Sequence, residues 1–515
     1  MDLPDRFNAA TFFVDRHLAE GRGGHPAFRV AGESLSYAGL ASTADRVGSA
    51  LGALGVEMEN RVVLALDDSP AFAASFWGVV KLGAVAVPLN TLMSAPDYAS
   101  ILTESRARVA IVDDAVLARI LSARAQCPFL RHVIVHGRSA GGALTWEDVL
   151  ARAQGPLEPA PTVPDDVMYW GYTSGSTGRP KAAVHSHHDF VAAADLVGAG
   201  IFGLGPRDVL FSASKMYFAF GLGNSLYFPA RVAASSVLVR ERLDAKGLLA
   251  VIERERPTVF CAVPTLYARM LQVPERHDLS SLRLCVSSGE ALPPAVVDAW
   301  QDRFGLALID VMGSTEALHD FIAGRPGALR RGAIGQIVPG FEARLIDDEG
   351  HPVGSGHVGH LLIKGPTTSA YYWHRRERTR QVMQGEWLRT GDMLWQDGDG
   401  YFYFAGRADD MIKVGGQWVS PSEVEARLVE HPLIEEAAVV GCVDGQGLME
   451  LGAFVVAKAG QSVHEGELKT WVRTGLAGYK VPRRITFVSD LPKTTTGKIQ
   501  RFRLRPPPPG HAHCP

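Results

Sequence analysis

Between Tyr172 and Lys181 the chain reads Tyr-Thr-Ser-Gly-Ser-Thr-Gly-Arg-Pro-Lys. Thr173, Ser174, Ser176 and Thr177 offer hydroxyls, Gly175 and Gly178 leave backbone amides bare, and Lys181 adds a cation. Those groups in one short loop make a cradle for phosphate. It is not a Walker-type loop, because that pattern, counted from Gly175, needs glycine at position 180, where Pro180 stands. A plain Ser/Gly linker is the other reading, and the apolar MYWG and AAVHSH flanks argue against it. The cysteines Cys127, Cys261, Cys285, Cys442 and Cys514 are odd in number and scattered, with no CxxC pair. Neither a disulfide framework nor a zinc site is encoded, which fits a reducing, cytoplasmic setting.

The elements that must position this loop are legible as short apolar runs. RVVLALDD, AVAVPLN, RVAIVDD, VLFSASK, TVFCAVP and LRLCVSSGE read as strands, and they alternate with helical stretches such as YASILTESRARV. That alternation predicts layered α/β subdomains with largely parallel strands. From about residue 330, FEARLIDDEG, GHLLIKG and YFYFAGR predict a β-rich subdomain, and after Arg407 the segments EVEARLVE, IEEAAVVGCVD and ELKTWVRTGL predict a small α+β unit. The expected domains are therefore 1–408 and 409–515, with a Pro-rich tail, RPPPPGHAHCP. The 515 residues carry a net charge of −3 and no clustered basic face in the sequence, which argues against nucleic acid as partner. The apolar stretch from Ala71 to Leu89 is broken by Lys81, two glycines and Pro88, so it reads as a buried helix running into a strand and not a membrane span. MDLPDRFNAA lacks the apolar core of a signal peptide. Glycine is abundant, 54 residues without a repeat, as expected where backbone must come close to something.

YTSGSTGRPK, VSSGEALP, DVMGSTE, WLRTGD, YFAGRADDMIKVGG and PKTTTGK follow one another in this order along the chain. In this the sequence resembles the adenylate-forming superfamily of acyl-coenzyme A synthetases, adenylation domains and luciferases. The resemblance implies an acid–thiol ligase that uses ATP, Mg2+ and coenzyme A, with a C-terminal domain that moves. It implies ATP binding by Thr173, Ser174, Gly175, Ser176, Thr177, Gly178 and Lys181. It places Ser288, Gly289, Glu290, Ala291, Asp310, Val311 and Met312 around adenine, beside Gly313 and Ser314, with Met312 where a tyrosine is common. Thr315 and Glu316 become catalytic, Glu316 as the magnesium acid, since a hard cation on ATP phosphates wants carboxylate oxygen. Asp392 and Arg407 become ribose contacts, Asp409 the hinge, and Gly415 and Gly416 the coenzyme A face. Lys498 becomes the catalytic ammonium that offsets repulsion as carboxylate meets phosphate.

The run Lys215-Met-Tyr-Phe-Ala-Phe-Gly-Leu-Gly-Asn224 is similar to the benzoate–coenzyme A ligase branch. This implies an aryl-acid slot walled by Ala219, Phe220 and Phe228, with Gly313 leaving room at the ring edge and His319 opposite. Asp320 stands where that branch usually has an aliphatic residue. A carboxylate against plain benzoate would be a costly unpaired charge, whereas a ring amine would donate to it. The expected substrate is therefore 2-aminobenzoate, then benzoate; Asp320 turned away to cap a turn or to meet Arg325 or Arg330 is the competing reading. A carrier protein is the alternative thiol acceptor, and a homodimer the candidate assembly. A non-catalytic nucleotide sensor is disfavoured by the presence of Lys181, Glu316, Asp392, Arg407 and Lys498 together.

Overall fold

Residues without polar interruption suit strands buried on both faces, and Val62, Val63, Leu64 and Ala65 are buried completely. They belong to strand Arg61–Ala65, one of seven in a sheet. Its order is Leu144–Thr145, His132–His136, Val109–Asp113, Arg61–Ala65, Val85–Pro88, Val167–Ser174 and Pro180–Ser186. All neighbours are parallel except the last pair, an antiparallel hairpin that aligns Thr173 with Lys181. The computed structural model describes residues 3–153, 155–174, 180–414, 417–443, 449–493 and 499–504. The expected run from Ala71 to Leu89 is helix Pro70–Lys81 followed by strand Val85–Pro88. Ser69 starts that helix by accepting from Phe72 N at 3.2 Å.

A second, nine-stranded sheet holds Val209–Ser212, Val259–Ala262, Leu284–Ser287 and Leu308–Gly313 in parallel. Asp320–Ala323 then turns back antiparallel to Leu308–Gly313. Helices Ala245–Glu255, Pro264–Leu271 and Pro294–Phe304 contribute Leu249, Tyr267 and Trp300 to the core that covers one face. Where helices Tyr37–Ala53 and Pro70–Lys81 meet, a Cβ on Gly78 would lie 2.6 Å from Ala44 O. Part of the glycine excess is thus helix packing.

The chain forms two compact units, Met1–Ala343 with Ile363–Arg389, and Arg344–Leu362 with Thr390–Pro515. In the second, Phe402–Arg407 pairs antiparallel with Trp387–Gln396, aligning Asp392 with Arg407. A three-stranded sheet of Ile434–Val443, Met449–Ala457 and Arg484–Phe487 carries helices Pro421–Val429 and Glu465–Gly475, packed through Val424, Leu428, Val439, Leu468 and Val472. The expected α/β architecture with a small α+β C-terminal part is present. Among the described residues no helix is long and apolar enough to cross a membrane.

Candidate active site

Glu316 lies in a one-turn segment, Thr315–Ala317, between strands Leu308–Gly313 and Asp320–Ala323. Its three carbonyls are gripped in turn. Thr315 O accepts from His185 Nε2 at 2.8 Å, Glu316 O from Ser369 N at 2.7 Å, and Ala317 O from Thr367 Oγ1 at 2.6 Å. Ser314 Oγ closes the turn by accepting from Ala317 N at 3.2 Å. His185 is itself oriented, because Nδ1 lies 2.9 Å from Asp189 Oδ2. Burial raises the Asp189 carboxyl, but hydrogen bonds from His185 and His188 outweigh it and hold the group below the ordinary carboxylate range. The Glu316 side chain receives a hydrogen bond on Oε1 from Tyr372 Oη at 2.5 Å. Lys181, 7% exposed, holds Nζ 5.1 Å from the centroid of the same Tyr372 ring. The expected cation and the expected magnesium acid thus meet on one tyrosine.

On the adenine side, Ser288 Oγ donates to Val311 O at 3.0 Å, tying the two expected segments together. Gly289 has φ 88, a left-handed conformation that glycine takes at no steric cost. Glu290 accepts from Thr265 Oγ1 at 2.6 Å. Asp310 Oδ1 is buried with no partner, and burial pushes its carboxyl well above the ordinary range.

The residues expected to form the acid slot are arranged around His319. Its ring lies 4.4 Å from Phe228 and 5.6 Å from Phe220, centroid to centroid. Nε2 is 3.4 Å from Phe220 O, and Nδ1 is 2.8 Å from Asp320 Oδ2. Asp320 is 2% exposed, and among the described residues its basic neighbour is His319, not Arg325 or Arg330. The approach of His319 is not aligned as a hydrogen bond, and Asp320 Oδ2 stays without an aligned donor. Tyr227 Oη is buried and unpartnered nearby, and burial, with Asp320 and other anionic groups adding to it, raises its hydroxyl well above the ordinary range. A Cβ on Gly313 would sit 2.5 Å from His319 O and 2.7 Å from Asp320 Oδ1. The space beside Gly313 is therefore taken by the protein's own turn. Gly223 has a comparable role, since a Cβ there would overlap the His319 ring.

In the second unit, Arg407 Nη1 donates to Asp392 Oδ1 at 2.8 Å and to Thr390 O at 3.2 Å. Its Nε lies 3.5 Å from Asp409 Oδ1. Gly391, φ 79, admits the guanidinium, because a Cβ there would be 2.8 Å from Arg407 Nη2. Just beyond, Arg501 bridges Glu425 at 2.7 Å and Asp410 at 3.4 Å.

Residues 15–373 match the family described as AMP-binding enzyme, and residues 423–498 match the AMP-binding enzyme C-terminal domain. The chain belongs to the adenylate-forming superfamily. It falls in the benzoate–coenzyme A ligase-like branch of these acid–thiol ligases. It is 43% identical over 510 residues to the benzoate–CoA ligase of Thauera aromatica, covering 98% of this chain and 96% of that protein. The anthranilate CoA ligase AuaEII, solved in complex with anthranoyl-AMP, superposes with a TM-score of 0.92 at 42% identity, over 98% of this chain and 97% of that one. The benzoate CoA ligase from Burkholderia xenovorans superposes with a TM-score of 0.89 at 41% identity, over 97% of this chain and 100% of that one.

For this adenylate-forming enzyme, the first unit gathers Lys181 and Glu316 on Tyr372, and Phe220, Phe228, Gly313, His319 and Asp320 in the slot. Ala219 opens the helix Ala219–Leu222 that carries Phe220. The second unit gathers Asp392, Arg407 and Asp409. Gly175, Ser176, Thr177, Gly178, Gly415, Gly416 and Lys498 lie outside the described residues, as does the side chain of Ser174. Sequence reading missed Tyr372, His185, Thr367, Ser369, Gly223 and Tyr227. Gly223 and Tyr227 fall in or directly after the quoted glycine-rich run and His185 in the quoted AAVHSH flank, without a role being read for them; Tyr372, Thr367 and Ser369 act through contacts between distant segments.

Proposed function

We propose that the protein is an ATP-dependent aryl acid–coenzyme A ligase whose first substrate is 2-aminobenzoate, with benzoate second. The observation that carries the substrate is Asp320, a buried carboxylate close to His319, Phe220 and Phe228 with one oxygen lacking an aligned donor. A neutral ring amine donating to it would be worth about 1.5–3 kcal/mol, or roughly 10-fold to 150-fold in preference over benzoate.

In the first half-reaction a carboxylate oxygen of the acid attacks the α-phosphorus of ATP, the bond to the bridging oxygen breaks, and pyrophosphate leaves. Lys181 and the 173–178 loop hold phosphates, Ser288–Ala291 and Asp310–Met312 receive adenine, and Asp392 with Arg407 takes the ribose hydroxyls. Asp310 Oδ1, buried and unpartnered, is suited to an exocyclic amine. Glu316 would hold Mg2+: Oε1 is engaged by Tyr372, while Oε2 has no hydrogen-bond partner among the described residues. Among those residues no group of three or more such ligands occurs, which fits an ion carried largely by phosphates and water. When bound, that ion supplies charge neutralisation on the phosphates. In this reading Lys498 is the ammonium that offsets the repulsion between the two anions. The domain 409–515 then turns about Asp409 and presents Gly415 and Gly416 to coenzyme A. The thiol gives up its proton, sulfur attacks the acyl carbon, and AMP leaves with the bonding electrons.

The test is acid-dependent pyrophosphate release across substituted benzoates, in the parent and in Asp320→Ile. The ratio of kcat/KM for 2-aminobenzoate over benzoate is expected to collapse in the variant, and an unchanged ratio overturns the assignment. Thioester formation with free coenzyme A is expected in the same assay; its absence would move the acceptor to a carrier protein.

A further inference from the structure

Parallel strands bring like ends together, and in the seven-stranded sheet three neighbours are each entered through a basic residue. Arg61 opens Arg61–Ala65, Arg108 precedes Val109–Asp113, and Arg131 precedes His132–His136. The opposite ends read Asp67-Asp68 and Asp113-Asp114, so the two edges of the layer carry opposite charge. Arg106, with φ 53 at the end of helix Ala95–Ser105, adds a fourth guanidinium. With Asn60 and Phe129 these four arginines line a cavity of 190 Å³.

Four like charges around one cavity repel, and the protein compensates little of it. Arg61 is used internally: Nε donates to Ser105 O and Nη1 to Glu59 O, both at 2.7 Å, and its guanidinium stacks 5.4 Å from Trp170 and 5.6 Å from Trp373. That one residue satisfies the adjoining helix end. Among the described residues, Arg106, Arg108 and Arg131 donate to no protein acceptor through their side chains, and none of the four is in an ion pair. Arg108 Nε is buried with no partner. Glu59 offsets part of the field at Arg61 only. Burial and then nearby arginines, among them Arg108 and Arg131 for His132 and Arg106 and Arg61 for His374, push both imidazoles below their ordinary range.

We propose that this cavity is a binding site for a small multivalent, phosphate-bearing anion, separate from the ATP site. Each guanidinium offers five N–H donors in a planar fork that matches phosphate oxygens two at a time. Phe129, 46% exposed and 5.9 Å from the Arg106 guanidinium, walls the cavity and keeps the Arg106 fork in place. Separation from the ATP site follows from topology. The loop after Ser174 leaves the C-terminal end of strand Val167–Ser174, which runs parallel to Val85–Pro88 and hence to Arg61–Ala65. The cavity lies at the N-terminal ends of those parallel strands. No residue assigned to nucleotide or aryl acid lines it.

The test uses the full chain with its nucleotide site saturated by a non-hydrolysable ATP analogue, titrated calorimetrically with tripolyphosphate. One equivalent is expected to bind, more weakly as salt rises, and Arg108→Gln with Arg131→Gln is expected to weaken it about 10-fold or more. Arg138→Gln, an exposed arginine beyond the other end of strand His132–His136, is expected to change nothing. The double variant is relieved of repulsion and is expected to melt no lower than the parent, so that lost binding is not lost folding. Adenosine 3′,5′-bisphosphate in a second titration separates the sources: its preference supports phosphate borne on a larger molecule, and preference for tripolyphosphate supports the free anion. Binding of neither, or binding unchanged in the double variant, overturns the proposal.

Discussion

Glu316 and Asp392 are two carboxylates, one in each compact unit, each proposed to take part in nucleotide binding, and the protein holds them by different means. Glu316 sits in a turn whose consecutive carbonyls are tied to His185, Ser369 and Thr367, with a buried tyrosine on its own oxygen. Asp392 accepts from Arg407, whose side chain is 45% exposed and also faces Asp409. The first arrangement is a set of buried hydrogen bonds to consecutive backbone carbonyls inside packed layers, one of them made by the His185–Asp189 pair. The second is a chain of charges at a strand edge, continued by Asp410, Arg501 and Glu425. Buried contacts are little affected by salt and costly to break, whereas partly exposed ion pairs such as Asp392–Arg407–Asp409 are screened and cheap to exchange. The magnesium acid is thus held by packed layers, whereas the Asp392–Arg407 pair sits beside the proposed hinge Asp409 in a chain of charges that continues across it.

This contrast can be broken in several places. The largest effect is expected for Lys498→Ala, about 10²–10³ in the adenylation rate, by analogy with deleting one electrostatic stabiliser. Thioester formation from supplied aroyl-adenylate is expected to be spared, and equal loss in both steps would argue against a turning domain. Next comes the buried His187, which accepts from Ala9 N at 3.0 Å and is pushed down to about 4 by burial. Its unfolded value is higher, so the unfolded chain binds the proton first and stability falls as pH drops from about 6.5 through 4. Denaturant titrations at pH 7 and pH 4 should show about 3 kcal/mol of loss from this group in the first unit, and a His187→Asn chain should lose correspondingly less.

Arg501→Gln takes the bidentate partner from Glu425, whose side chain is 11% exposed, and is expected to cost the second unit about 3 kcal/mol. Local hydrogen exchange around Glu425 and Val439 reads it, because Glu425 Oε1 also accepts from Val439 N at 2.7 Å and keeps that partner. Gly223→Ala is expected to raise the KM for the aryl acid about 10-fold, through overpacking of His319 worth roughly 1–3 kcal/mol, while KM for ATP holds. A uniform rise in both would show that the slot and nucleotide region are not mechanically independent.

Some of this was legible before any coordinates. Strand runs such as RVVLALDD and RVAIVDD, and the buried helix inside the Ala71–Leu89 stretch, follow from local hydrophobic pattern and appear as elements. Asp320 could be singled out because a carboxylate there is unusual chemistry for an aryl slot. Its neighbour His319 as the group that approaches it could not, because the turn that folds the imidazole back depends on Gly313, Gly223 and Leu318 at φ 64. Gly313 was expected to make room for a ring, and the protein's own backbone occupies that side.

Motif order and residue type thus determined the superfamily and the reaction, since phosphate cradles, magnesium acids and capping residues act over a few neighbouring positions. Only the tertiary structure decided that Tyr372 reaches Glu316 across 56 residues and His185 reaches Thr315 across 130. It alone brought Arg61, Arg106, Arg108 and Arg131 around one cavity. Strand order and register set those meetings, and they are fixed by the packing of whole layers, which no local pattern of residues encodes.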